Sequence, residues 1–160
     1  MSSLSSVVVA VPLLVAVLVG AIGRGRASSS LARSGAEQVA RRVAVGASGL
    51  IALLALVLLV GVAIDGSIGI TVDDSDGRAV FGLFAGRLEA SLVLLTASVG
   101  AVVQAFAARS LVGDPRAVRF HAVALALVGA TNLTALAASG ATLAAGWVAT
   151  SVVVGSLIGH

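Results

Sequence analysis

Residues 43–64, VAVGASGLIALLALVLLVGVAI, run for 22 residues without a charged side chain. As an α-helix this stretch is about 33 Å long at roughly 1.5 Å per residue. A bilayer's hydrocarbon core is about 30 Å thick, so the stretch is long enough to cross it. The rest of the chain has the same character: 160 residues, 59% hydrophobic, 11% charged, mean hydropathy +1.14. Those values exclude an ordinary water-soluble globule and a disordered chain. The absence of cysteine excludes a disulfide framework.

Working outward, four more apolar runs read as spans, over residues 5–23, 88–108, 118–138 and 141–159. The expected fold class is all-α and transmembrane, one membrane domain with about five crossing helices. The first run is not a cleaved signal, because no basic residue precedes it and Arg24 and Arg26 follow it. Pro12 removes one backbone donor from that helix, which neighbouring helices can compensate. Only Ser139 and Gly140 separate the last two runs, so those helices are expected to form a tight hairpin.

Residues 65–86 break the helical pattern. Ile68, Ile70 and Val72 alternate with smaller or polar residues, and Val80 and Phe81 follow an acidic turn at Asp76-Gly77. This predicts a short β-hairpin at the membrane surface, between the second and third spans. A calcium loop through Asp73, Asp74 and Asp76 fails on register: with Gly77 sixth, Val72 occupies the first position, where an acid is required.

All ten basic residues are arginine. With one tryptophan, no tyrosine and no lysine, they do not make a nucleic-acid face. Five lie in the polar stretch 24–42 and three at Arg109, Arg116 and Arg119, against Arg78 and Arg87 on the other side. The positive-inside rule then puts the N-terminus outside and the C-terminus in the cytoplasm. The expected location is a cell membrane of the bacterial inner-membrane type.

Polar groups inside spans are the candidate functional residues. Gln104 and Asn132 are placed to hydrogen-bond between helices, and Thr150 and Ser151 to bond back to their own helix. Glu89 complements the positive start of the third span. His121, beside Arg119, has an unperturbed pKa near 6.5 and is a candidate proton carrier, or an incidental interfacial residue. Trp147 is either an interfacial anchor or a packing residue. No metal-ligand cluster, phosphate loop or nucleophile–base set is present in the pattern, so no cofactor and no self-contained catalytic site are expected.

The run from Phe106 to Phe120 (FAARSLVGDPRAVRF), then Gly146-Trp147, then residues 156–159 (SLIG), resembles the antiporter-like proton-translocating membrane subunits. Those include subunit L of NADH-quinone oxidoreductase, the large Mrp antiporter subunit and the DabB subunit of inorganic-carbon accumulation complexes. Leu88-Glu89-Ala90-Ser91 is similar to their Leu-Asp-x-Leu-Ser element, and Val11-Pro12-Leu13 followed by Arg24-Gly25-Arg26 to their first helix and its exit. In the respiratory and Mrp branches a glutamate used for proton transfer follows the tryptophan. Val148 stands there in this chain and cannot carry a proton. Trp147-Val-Ala-Thr150-Ser151 and residues 111–116 (LVGDPR) look more like the DabB branch. That resemblance implies a subunit supporting proton- or cation-driven uptake of bicarbonate or carbon dioxide. Its partners would be the bilayer, further membrane helices and a soluble zinc-containing subunit. Family members continue with several more helices, so the chain is expected to be the N-terminal part of a longer subunit: a fragment, a split product or a short form.

Overall fold

The structure, a computed structural model, describes residues 3–24, 30–73, 79–114 and 116–158. Five helices and one hairpin follow in the order α1 Ser3–Arg24, α2 Ser30–Asp65, β1 Ile68–Asp73, β2 Ala79–Ala85, α3 Arg87–Ser110, α4 Ala117–Ala135 and α5 Gly140–Ile158. The acidic turn at Asp76-Gly77, and with it the question of a cation at Asp74 and Asp76, lies outside the described residues. Among the described residues, three helical stretches are long and apolar enough to cross a membrane: Glu37–Asp65, Arg87–Ser110 and Ala117–Ala135. Within α1 and α5 the described apolar stretches are shorter, Val7–Ala21 and Gly140–Ser156.

Alanines are prominent inside the bundle beside larger residues such as Ile51, Leu58 and Leu125, and many large apolar side chains stand on its outside. In α2 the buried stripe is Ala40, Ala44, Ser48, Ile51, Ala55, Leu58 and Val62, spaced by three or four residues as one helical face requires. In α3 the corresponding stripe is Ala90, Val93, Ala97, Gln104 and Ala107. Outside stand Leu14, Leu53, Leu95, Val102 and Phe106, each more than half exposed. Small residues permit close backbone approach when the solvent offers no hydrophobic drive between helices, and lipid is such a solvent. α1 packs chiefly on α4 and α2 on α3, with α5 lying against α4.

Two boundaries differ from the sequence reading. The polar stretch 24–42, expected as a loop, is helical from Ser30 onward and belongs to α2. That helix has 36 residues, about 54 Å, well beyond what a hydrocarbon core needs. Its N-terminal part is rich in strong helix formers, among them Ala36, Glu37, Gln38 and Ala40. It also docks on the α3–α4 turn: Glu37 Oε1 accepts from Gly113 N at 3.3 Å, and Arg41 donates to the Ala108 carbonyl at 3.3 Å. That carbonyl lies in the last turn of α3, where the helix itself supplies no donor. Gly113, at φ +82°, makes the turn, and Gly66, at φ +85°, ends α2 by donating to the Val62 carbonyl.

The second difference is at the fourth span, which ends at Ala135 and not at residue 138. After a turn at Leu136 the chain joins the hairpin through a bridge at Ala137. β1 and β2 pair antiparallel from Ile68↔Ala85 to Asp73↔Ala79, with a bulge at Val72/Asp73. The segment 136–138 then adds to the free edge of β2: Phe84 N donates to Leu136 O at 2.7 Å, and Ala138 N to Gly82 O at 2.9 Å. The hairpin is thereby sealed on one edge by the α4–α5 link.

Candidate functional site

α3 and α4 leave the Gly113 turn side by side. Gln104 lies nine residues before that glycine and His121 eight after it, so they meet across the helix pair. Both are buried, at 1% exposure each. His121 Nδ1 donates to Gln104 Oε1, and Gln104 Nε2 donates to the His121 carbonyl at 2.9 Å. The pair satisfies both ends of the amide, which a buried polar side chain needs. His121, in the second turn of α4 near its arginine-bearing end, is therefore buried and clamped to α3. Arg41 and Glu37 of α2 lie over the same end of the bundle, on the α3–α4 turn.

A second polar point lies toward the hairpin end. Asn132 is fully buried and donates through Nδ2 to the Val8 carbonyl of α1 at 3.4 Å. Its Oδ1 is the one buried side-chain oxygen or nitrogen without a hydrogen-bond partner among the described residues. Just below, Gly129 admits α1: a Cβ there would stand 2.8 Å from Leu13 Cγ and 3.3 Å from Pro12 Cγ. On α4 the two polar points are eleven residues apart, about 16 Å along the axis. They are separate sites, not one path.

The other candidates have local roles. Glu89 Oε2 accepts from Gly86 N at 3.0 Å, closing the start of α3. Thr150 Oγ1 donates to Gly146 O at 2.8 Å and Ser151 Oγ to Trp147 O at 2.9 Å, both within α5. Arg119 is exposed, and Trp147 is 71% exposed on the outer face of α5. The structure brings Gln104 and His121 together and leaves Glu89, Arg119, Trp147, Thr150 and Ser151 apart from them.

Sequence reasoning missed the clasp between the hairpin and α5. Ser139 Oγ accepts from Thr142 N at 3.2 Å, capping α5, and Thr142 Oγ1 accepts from Gly82 N at 3.1 Å. A serine three residues before a threonine at a helix start was a legible cap signal, but the reach to Gly82 was not. Among the described residues no three His, Cys, Asp or Glu side chains come together to hold a metal ion. No protein-family model matches the chain, and no curated protein matches it.

Proposed function

We propose that the chain is a membrane subunit of an ion-coupled transport complex, of the antiporter-like kind and nearest the DabB branch, supporting uptake of bicarbonate or carbon dioxide. All five helices cross the bilayer in this reading. α1, with 22 residues, and α5, with 19, extend about 33 and 28 Å, close to the thickness of the hydrocarbon core. The end carrying Arg41, Arg109, Arg116 and Arg119 faces the cytoplasm, and the hairpin faces outward. The exposed face of α5, with Trp147, Val148 and Val152, is free for further membrane helices. The zinc chemistry belongs to a soluble partner.

The observation that carries this reading is the burial of Gln104, His121 and Asn132 within otherwise apolar helices, since polar residues inside a membrane are functional candidates by default. A second reading, a structural membrane protein without transport, is favoured by the mutual satisfaction of Gln104 and His121. Replacing Gln104 and Asn132 together with leucine separates the two in cells that depend on the protein. A transport subunit loses ion-coupled carbon uptake while staying assembled. A scaffold keeps that uptake, and such a result overturns the transport reading.

A further inference from the structure

Between α3 and α4, on the outer surface of the bundle, runs a groove of about 410 Å³. Leu95, Val99 and Val103 form one wall, and Phe120, Ala124 and Leu127 the other. Leu95 and Val99 are 61% and 55% exposed, so the groove opens sideways to whatever surrounds the helices. Its two polar residues, Thr96 and Thr131, donate their hydroxyls to Leu92 O and Leu127 O of their own helices, at 2.9 and 2.8 Å. The groove is left with no free hydroxyl donor for a polar guest. Gly100 forms part of its floor: a Cβ there would stand 2.5 Å from Val128 Cγ2, so the helices approach closely beneath it.

The charge at one end tells what fits. On α4 the groove-lining residues Phe120, Ala124, Leu127 and Thr131 continue, one turn earlier, to Arg116. Arg116 is exposed, as are Arg109 at the end of α3 and Arg119 on the first turn of α4. The two acids at this end accept hydrogen bonds from backbone N–H groups, Asp114 from Arg116 N at 2.7 Å and Glu37 from Gly113 N at 3.3 Å.

We infer that the α3–α4 groove holds one acyl chain of an anionic diacyl phospholipid, whose phosphate is gripped by Arg116 with Arg109 and Arg119 beside it. This rests on the membrane reading above. It adds a specific lipid site to it, with apolar and charged parts in the order a phospholipid presents them. Diffuse attraction of basic side chains to anionic lipid does not depend on which arginine is present. A built site does.

The test is native mass spectrometry of the full chain in mild detergent, supplied with equal phosphatidylglycerol and phosphatidylcholine. The expected result is retention of phosphatidylglycerol over phosphatidylcholine, falling about fivefold for each of Arg109, Arg116 and Arg119 changed to glutamine. Arg42→Gln, an exposed arginine on α2, leaves the preference intact. Ala124→Phe, which fills the groove and spares the arginines, abolishes retention with helix content unchanged by circular dichroism. Equal retention of both lipids overturns the site, as does an Arg42→Gln effect as large as the others or full retention in Ala124→Phe. Alkaline extraction of the same membranes separates the two levels. A chain that stays in the membrane without lipid preference defeats only the site, and one released in soluble form defeats the membrane reading itself.

Discussion

Asn132 Nδ2 donates to the carbonyl of Val8, 3.4 Å away, and Val8 lies four residues before Pro12. Proline has no N–H to return to that carbonyl, so the helix leaves it open and α4 supplies the donor. The pairing makes a coupling prediction. Asn132→Leu lowers resistance to denaturing detergent by about 1 kcal/mol. In a Pro12→Ala background, where residue 12 regains its N–H, the same change costs close to nothing. Equal costs in the two backgrounds contradict the role assigned to Asn132.

Gln104 and His121 form a closed pair, so loss of either member leaves a buried polar group without its partner. Gln104→Leu is expected to cost about 1–3 kcal/mol in unfolding free energy. Changing both to leucine costs less than the two single changes summed, by about 0.5 kcal/mol or more. Strict additivity in a double-mutant cycle means the two do not interact.

Glycines on α5 differ sharply in what surrounds them. A Cβ on Gly146 would stand 2.5 Å from Thr134 Oγ1 and 2.9 Å from the Thr134 backbone nitrogen, whereas one on Gly155 meets nothing within 4 Å. Gly146→Ala therefore pushes α5 from α4 and destabilises by about 1–3 kcal/mol. Gly155→Ala is neutral or stabilises by up to about 1 kcal/mol through helix propensity. Thermal unfolding in detergent reads the contrast, and similar effects at both sites contradict the packing described.

Thr142 supplies the acceptor for the buried amide of Gly82. Thr142→Val removes it at constant shape, with an expected cost of about 1–3 kcal/mol. Hydrogen exchange of the Gly82 amide should accelerate while amides of mid-α2, such as Ala55, keep their protection. Unchanged exchange at Gly82 means the clasp between hairpin and α5 is not formed.

What the sequence made legible follows from how each signal arises. The uncharged run 43–64 and the alternation at Ile68, Ile70 and Val72 are local patterns, and α2 and β1 are where they point. The sequence placed a break between the last two apolar runs at Ser139-Gly140; α5 does begin at Gly140, but the break starts earlier, after Ala135. The helical start of α2 was hidden because charge in residues 24–42 marks the limit of the apolar run, not of the helix. The link 136–138 was hidden because it is made by pairing with Gly82 and Phe84, more than fifty residues earlier. The Gln104–His121 and Asn132–Val8 contacts depend on which helix packs on which, and hydropathy carries no record of that.

In the proposed reading the bundle spans a bilayer with its arginine end inside. The chain contains no cysteine, so single cysteines are clean reporters. Thr71→Cys on the hairpin and Val112→Cys in the α3–α4 turn both replace exposed residues. In intact cells an impermeant thiol reagent is expected to label Thr71→Cys at once and Val112→Cys only after the membrane is opened. Equal labelling of the two in intact cells, or labelling of Val112→Cys alone, contradicts the account.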